Sequence, residues 1–474
     1  MFKKAFDSTR APYVLSCLFL ATVATAVATG QMVLLLLPLA LLGAWWALQN
    51  GLLLFYVLIA TIPWSVEYYF GGTLSTDLPD EPLMLLAALS AVSLIIYRQK
   101  LSKPFGHPLV LILVLQVIWM AFTVSTSAYT LISFKFLLAK SWYLLAFVAF
   151  PLLVLITKNA WRNIAWVLSI SMMVVTTIAL VRHAQFGFTF ADVNRSLFPF
   201  FRNHVNYSAL LVCLLPLMAA LYFHSQNRNV KSVLFVALGI GLVALYFSYA
   251  RGAWLALFVG VIAYFLLRKK GLLWAYLLTL AIVVSAVFWL QHNNRYLAYA
   301  HDFNTTVFHT DFKDHLVATY QLKDVSTAER FYRWVAGVRM VKEAWQTGFG
   351  PNTFYYHYKP YAVTPFKTWV SDNPEKSTVH NYFLLSLIEQ GVMGLLLLLF
   401  LLGALFYKAQ QIYHRTKDVF WKGGVACAAV ILAMICTVNF LSDLIETDKV
   451  GSIFYLCVSF LVIADLQTKK LKGF

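Results

Sequence analysis

The sequence predicts an all-helical protein that crosses a membrane many times. Its 474 residues are 61% hydrophobic and only 12% charged, and the mean hydropathy is +0.72. That balance is typical of polytopic membrane proteins rather than of water-soluble domains. A bilayer core of about 30 Å is crossed by roughly 20 apolar residues in a helix. Fourteen apolar runs approach this length, so we expect a bundle of about 12–14 transmembrane helices.

The candidate spans follow the chain from end to end. They lie near 11–29, 31–48, 51–66, 82–97, 108–125, 137–156, 161–183, 206–223, 232–249, 252–267, 271–290, 381–407, 423–440 and 450–466. Residues 1–29 also resemble a signal peptide, but a second apolar run follows at once, which favours an uncleaved first span. The five cysteines lie inside apolar runs without C-x-x-C spacing. They are therefore read as small apolar residues rather than as a disulfide framework or a zinc site.

The distribution of basic residues predicts the orientation of the spans. Seven segments that would share one side of the membrane are all basic, namely 1–10, 98–103, 157–162, 224–231, 268–270, 408–422 and 467–474. The opposite side collects acids, among them Asp77, Glu81 and Asp443. Short basic loops mark the cytoplasmic side, so both termini are expected in the cytoplasm. The net charge of +17 then reflects topology and contact with membrane lipids, and we expect no nucleic-acid partner.

One large polar insertion divides the chain into three parts. We expect an N-terminal transmembrane bundle over 1–290, a mostly helical cap on the outer face over 291–379, and C-terminal transmembrane helices over 380–474. Apolar residues recur at helical spacing from Phe331 to Trp345 and predict an amphipathic helix. The run T-G-F-G-P-N-T at 347–353 predicts its break. The apolar face should pack on the bundle or on the membrane surface.

Several cations should lie at or near the outer surface, where charge inside the membrane is costly. They are Arg195, Arg202, Arg251, Arg330 and Lys140. Guanidinium groups bind phosphate oxygens through paired hydrogen bonds and neutralise charge on a phosphate leaving group. The cluster therefore suits a pyrophosphate lipid. The alternative for each side chain is snorkelling to lipid headgroups or a solvated helix face.

A histidine and a glutamate open the predicted span at 381–407. His380 is the candidate general base, because its ordinary pKa of about 6.5 allows it to accept a proton from a sugar hydroxyl. Its alternative role is to orient the start of the helix. Glu389 lies about two and a half turns deeper, where we expect a hydrogen-bonded buried acid that positions its neighbours.

The sequence gives little support for a metal site. We find no D-x-D or comparable carboxylate pair for Mg²⁺. Ligand-type residues do occur in the insertion, at His309, Asp311, Asp314 and His315, but the two histidines fall on different faces of any helix. We therefore expect no metal and no other cofactor.

Three segments resemble motifs of the O-antigen ligase/polymerase superfamily. They are Y-A-R-G-A-W-L-A-L at 249–257, E-R-F-Y-R-W-V-A-G-V-R-M-V-K-E-A-W-Q-T-G-F-G-P-N-T-F at 329–354, and H-N-Y-F-L-L-S-L-I-E-Q-G-V-M-G at 380–394. N-H-V-N-Y-S-A at 203–209 is similar to a fourth motif, although His204 departs from its usual N-P-N. The segments occur in the family's order and flank one large outer loop. The resemblance covers about 195–400.

The resemblance implies a GT-C-like glycosyltransferase in the bacterial inner membrane with its active site facing the periplasm. The implied donor is a glycan on undecaprenyl pyrophosphate, and the implied reaction is inverting and metal-independent. Arg251 and a second arginine would hold the pyrophosphate, with Arg330 and Lys140 assisting, and His380 would lie at the reaction centre. Arg195 fits the second arginine position as well as Arg202 does.

The same motifs serve three activities. They are O-antigen ligation to a lipid A–core acceptor, which we favour, polymerisation onto a growing glycan, and transfer to a protein hydroxyl. A flippase for lipid-linked sugars is the non-enzymatic alternative. A transporter should carry charges along a path through both halves of the membrane, whereas the charges here gather on the outer side.

Overall fold

The computed structural model describes residues 20–22, 25, 50–71, 74–98, 103–299, 325–363, 371–373 and 376–470. Within these residues the longer elements are α1 (Gly51–Thr61), β1 (Val66–Gly71), β2 (Leu74–Leu78), α2 (Asp80–Arg98), α3 (Pro108–Ser125), α4 (Thr130–Val154), α5 (Lys158–Gln185), α6 (Val193–Leu197), α7 (His204–His224), α8 (Arg228–Tyr246), α9 (Arg251–Arg268), α10 (Leu272–Gln291), α11 (Val325–Glu343), α12 (Phe354–His357), α13 (Tyr382–Arg415), α14 (Val419–Phe440) and α15 (Asp448–Lys470). Short 3-10 turns lie at Ile62–Trp64, Lys103–Gly106, His292–Tyr299, Lys359–Tyr361 and Leu444–Glu446. Strands β1 and β2 form one antiparallel hairpin.

The predicted class, an all-helical polytopic membrane protein, is confirmed. Eleven helices of the described residues are long and apolar enough to cross a membrane, and a shorter apolar helix occupies Gly51–Trp64. These twelve match the predicted spans from 51–66 onward. The predicted spans at 11–29 and 31–48 lie outside the described residues, apart from four positions near residue 20.

Consecutive spans run in opposite directions, so the connections gather at two ends of the bundle. One end, called the site end below, carries the connections at 65–79, 126–129, 186–203, 247–250, 292–381 and 441–447. The other, called the basic end, carries those at 99–107, 155–157, 225–227, 269–271 and 416–418. Contacts confirm the grouping, because Tyr382 N donates to Ser442 O at one end and Lys158 pairs with Asp418 at the other.

Helices α14 and α15 form the centre of the bundle. In their most apolar windows 72% and 89% of residues are buried, compared with 6% in α10. Helix α9 packs closely on α14 through small residues on one face, namely Ala253, Ala256, Gly260 and Ala263. A Cβ on Gly260 would lie 2.1 Å from the Met434 side chain. Small residues let two helices approach where lipid provides no hydrophobic drive to associate.

A buried carboxylate joins three elements at the basic end. Asp465 of α15 is fully buried, and its oxygens lie 2.8 Å from Arg415 Nη2, 2.7 Å from Lys469 Nζ and 3.2 Å from His107 Nε2. A buried charge persists when partners and hydrogen bonds replace its water. This cluster therefore ties the ends of α13 and α15 to the start of α3.

The insertion contributes a helix that packs on the site end of the bundle. Ala336 and Met340 of α11 are fully buried, and a Cβ on Gly337 would lie 2.6 Å from Ile388 of α13. Trp334 packs on Phe440 at the end of α14, with ring centroids 5.9 Å apart. The apolar face predicted for this helix therefore covers the start of α13 and the end of α14.

Candidate functional site

The start of α13 presents His380 in a constrained backbone conformation. Asn381 caps the helix, and its side-chain oxygen accepts a hydrogen bond from Leu384 N. His380 has a φ of +53°, in the left-handed region that non-glycine residues rarely adopt. Tyr382 N donates to Ser442 O at 3.0 Å, which attaches this turn to the end of α14. Strained residues held by surrounding contacts are typical of functional sites.

Asp443 and Thr378 lie next to His380. His380 Nδ1 lies 3.9 Å from Asp443 Oδ1, and His380 N donates to Thr378 Oγ1 at 3.3 Å. Thr378 Oγ1 in turn donates to Asp443 Oδ2 at 2.7 Å. The His380 side chain keeps 35% of its surface accessible, so a hydroxyl group can reach it. At 3.9 Å the carboxylate is beyond hydrogen-bond distance of the imidazole, but it is close enough to stabilise a positive charge there.

A buried arginine of α11 reaches the same segment. Arg333 is 5% exposed, and it donates to Thr378 O at 3.2 Å and to Glu329 Oε2 at 3.3 Å. Ser371 Oγ donates to Glu329 Oε1. These bonds hold α11 against the segment that precedes His380, and they place a permanent positive charge beside the histidine.

Burial and the two arginines of α11 decide the protonation of His380. Burial and, to a smaller extent, the charges of Arg333 and Arg330 together lower the pKa of His380 to about 3. Burial raises the pKa of the Asp443 carboxyl, while the hydrogen bond from Thr378 opposes that rise. At neutral pH His380 is therefore a neutral imidazole with a free lone pair, which is the form that accepts a proton.

Arg251 begins α9 beside this cluster. The turn before it has Tyr249 at a φ of +56°, and Ser248 Oγ donates back to Leu245 O. A Cβ on Gly252 would lie 3.6 Å from Leu441 Cδ1, two residues before Asp443. The structure thus brings the predicted residues Arg251, Arg330 and His380 to one part of the site end.

Lys140 lies deeper in the bundle and is held by an acid. It is 9% exposed, its ammonium donates to both oxygens of Glu446 at 3.0 and 3.1 Å, and it lies 5.3 Å from the centre of the Tyr455 ring. A cavity of about 30 Å³ next to Lys140 is also lined by Tyr382 and Gln390, which is room for one water molecule. Glu446 follows Asp443 by one short turn, so this pair supports the segment that carries Asp443.

Arg202 and Arg195 lie in another part of the site end, the connection between α5 and α7. Arg202 Nη2 donates to both oxygens of Glu67 at 3.1 and 3.0 Å, and its side chain is 69% exposed. Arg195 is also exposed and stacks 4.6 Å from the centre of the Phe186 ring. Asn203 caps α7 through Val205 N and Asn206 N, which explains the first asparagine of N-H-V-N.

Glu389 fixes the loop that follows α11. Glu389 is 5% exposed, and its carboxylate accepts hydrogen bonds from Asn352 N at 2.8 Å and Phe354 N at 3.1 Å. Gly391 has a φ of +66°, and a Cβ there would lie 2.2 Å from Gln346 O. The predicted break at 347–353 is present, and the glutamate and glycines of these motifs hold it against α13.

Sequence reasoning missed Arg333 and the pairing of Thr378 with Asp443. Arg333 follows Arg330 by three residues and Glu329 by four, so all three share one side of α11. This spacing was the sequence signal from which Arg333 could have been predicted.

No group of three or more potential metal ligands occurs among the described residues. His309, Asp311, Asp314 and His315 lie outside them.

Comparison with known proteins finds a similarity over the stretch that carries most of these residues. Residues 235–399 match the family model described as O-antigen ligase. This stretch of the chain is similar to O-antigen ligases. The matched stretch includes Arg251, Arg330, His380 and Glu389, whereas Lys140, Arg195 and Arg202 precede it. The resemblance inferred from the motifs is thereby confirmed.

A curated relative supports the same assignment over a longer stretch. The chain is 27% identical over 233 residues to the O-antigen ligase of Salmonella typhimurium (strain LT2), and this match covers 48% of the chain and 52% of the relative. The chain therefore spans about half the length of this relative.

Proposed function

We propose that this protein transfers a glycan from undecaprenyl pyrophosphate to an acceptor hydroxyl at the periplasmic face, as an O-antigen ligase with a lipid A–core acceptor. The observation that carries this proposal is the cluster at the start of α13. There, a neutral His380 lies beside Asp443 and is flanked by Arg330 and Arg333, within or next to the stretch that is similar to O-antigen ligases. The basic end then faces the cytoplasm, as short basic connections favour.

In this reaction His380 acts on the acceptor. The acceptor hydroxyl donates its proton to the imidazole as its oxygen attacks the anomeric carbon. The bond from that carbon to the pyrophosphate oxygen breaks, and attack from the opposite side inverts the configuration. Asp443 stabilises the imidazolium that forms, because it lies 3.9 Å from Nδ1. General-base catalysis of this kind contributes typically about 10²–10⁴-fold to the rate.

The arginines act on the leaving group. Arg251 and Arg330 supply positive charge where the departing pyrophosphate gains negative charge, so the arginines do the work that Mg²⁺ does in other pyrophosphate enzymes. We accordingly expect transfer to persist in the presence of a metal chelator.

Donor binding also changes the basicity of His380, because the pyrophosphate offsets the arginine charges that lower the pKa of His380. The histidine becomes a stronger base once the donor is bound.

The remaining cations have supporting roles in this proposal. Arg202 is the second pyrophosphate-binding arginine, with Arg195 as its alternative. The pair between Arg202 and Glu67 is exposed, and exposed pairs contribute about 0–1 kcal/mol, so a pyrophosphate can replace Glu67 at little cost. The paired contact with Glu446 supports an indirect role for Lys140, which positions the segment of Asp443.

Surface polysaccharide from a host lacking this chain tests the proposal. The host is complemented with wild type, His380→Asn, or His292→Ala as a control for an exposed histidine of the same end. We expect bare lipid A–core and accumulated lipid-linked polymer in the deletion strain and with His380→Asn, and normal ladders with the other two. Core carrying a single repeat unit would indicate a polymerase instead. A normal ladder in the deletion strain would refute both activities.

A further inference from the structure

A large cavity lies at the basic end of the bundle, far from His380. It has a volume of about 510 Å³, within the range of about 300–1,000 Å³ that is common for ligand sites. Helices α5, α7, α14 and α15 enclose it. The pair of Trp161 on α5 and Phe460 on α15, with ring centroids 5.1 Å apart and nearly perpendicular, gives it a rigid aromatic wall. This contact joins α5 to α15 at the cavity.

The cavity changes from polar to apolar with depth. Its mouth carries Arg162, His224 and Asn227, whereas its deeper lining includes Leu214, Ile431 and Cys457. Helix α14 runs beside it from its first residues to Ile431, which is about 18 Å of helix. One leaflet of a bilayer core about 30 Å thick is about 15 Å deep. The cavity therefore has the depth of a lipid acyl chain and opens at the level of the headgroups.

The charge around the mouth specifies the headgroup. The helix ends on this side are rich in basic residues, namely Lys158, Arg162, Arg228, Lys231, Lys417, Lys422, Lys469 and Lys470, and they carry two acids, Asp418 and Asp465. Asp465 is paired with Lys469. Asp418 is already paired with Lys158. Arg162 is exposed and lines the cavity itself. Basic pockets between transmembrane helices on the cytoplasmic side bind anionic lipid headgroups, and this excess of positive charge disfavours a zwitterionic lipid.

We propose that this cavity is a binding site for an anionic phospholipid, with one acyl chain between α5, α7, α14 and α15 and the phosphate at Arg162. The proposal is independent of the transfer reaction at the site end. It concerns a lipid of the opposite leaflet, which would hold α5 and α7 against the central pair α14 and α15.

Native mass spectrometry of the full-length protein tests the proposal. The protein is delipidated in detergent and then given dioleoyl-phosphatidylglycerol or dioleoyl-phosphatidylethanolamine. We expect wild type to retain one phosphatidylglycerol at least tenfold more strongly than phosphatidylethanolamine. Ala220→Phe fills the cavity that Ala220 lines and should lower retention of phosphatidylglycerol at least tenfold. Ala219→Phe, the neighbouring alanine outside the lining, should leave retention unchanged.

A charge reversal tests the headgroup contact separately. Arg162→Glu should abolish the preference for phosphatidylglycerol, while Arg268→Glu, at another helix end of the same side, should preserve it. Equal retention of the two lipids by wild type, or equal behaviour of Ala220→Phe and Ala219→Phe, would overturn the proposal.

A photoreactive lipid gives a test that needs no variant. Phosphatidylglycerol with a diazirine at the end of one acyl chain should label peptides that contain Ile431 or Cys457. Labelling confined to outward-facing helices such as α10 would show that the acyl chain does not enter the cavity and would overturn the proposal.

Discussion

The ion pair of Lys140 and Glu446 allows a structural role of the lysine to be separated from a role in donor binding. Both side chains are mostly buried, with 10% and 20% of their surfaces exposed, and two hydrogen bonds of 3.0 and 3.1 Å join them. Lys140→Met leaves Glu446 as an uncompensated buried charge. Glu446→Gln likewise leaves Lys140 as an uncompensated buried charge. The double variant removes both charges.

The geometry sets the expected magnitudes. Two unit charges about 3 Å apart attract by roughly 5 kcal/mol at an effective dielectric constant of about 20, and the loss of water from both groups offsets much of this. Breaking one partner of a buried pair costs about 3–5 kcal/mol. We expect each single variant to lose about 3 kcal/mol of unfolding free energy and the double variant to lose about 1 kcal/mol. Lys158→Met, in a more exposed pair, should cost less than about 1 kcal/mol.

Unfolding in mixed micelles, followed by intrinsic fluorescence, measures the four free energies, and the coupling is obtained from the double-mutant cycle. Transfer activity of the double variant then assigns the role. If Lys140 positions the Asp443 segment through Glu446, the double variant keeps its KM for the lipid-linked donor. A stable double variant whose KM for the donor rises tenfold would refute this reasoning and make Lys140 a donor ligand. A coupling energy near zero would refute the account of the pair itself.

Three further predictions concern the site. Arg333→Gln should move the acid limb of the pH profile of kcat/KM to a pH about one unit higher, because removing a neighbouring cation lets His380 protonate at a higher pH. An unchanged acid limb would show that Arg333 does not influence the pKa of His380. In wild type, the acid limb of kcat should lie at higher pH than that of kcat/KM, because kcat reports the donor complex; coincident limbs would contradict the effect of donor on His380. Glu389→Ala should lower the free energy of unfolding by about 2–4 kcal/mol, because two buried amides lose their acceptor. Gly391→Ala should prevent the native loop geometry from forming. Gly239→Ala is the control for this variant, because a Cβ at Gly239 meets nothing within 4 Å.

Much of the fold follows from periodicity and length. Apolar runs alone identified every described span, and turn residues located the break after α11. Two asparagines of the quoted motifs, Asn203 and Asn381, cap α7 and α13 in the structure. These features depend on neighbours within about four residues, which a single sequence contains.

The assembly of the site could not be predicted in the same way. Lys140 and Glu446 are 306 residues apart in the chain, and Thr378 meets Asp443 across 65 residues. The sequence indicated cations on one side of the membrane, but it did not indicate which of them an acid already holds. The cavity at the basic end is likewise built from four helices, and no motif records it.

The most direct test of the central claim is transfer by the purified protein with His380 replaced. His380→Asn is the suitable variant, because asparagine adopts the left-handed backbone conformation more readily than alanine and so preserves the turn at φ +53°. The protein is placed in nanodiscs with an undecaprenyl pyrophosphate-linked glycan and a lipid A–core acceptor. We predict that His380→Asn binds the donor as wild type does and transfers it at least about 10²-fold more slowly. Transfer at the wild-type rate by this variant would show that His380 is not the base.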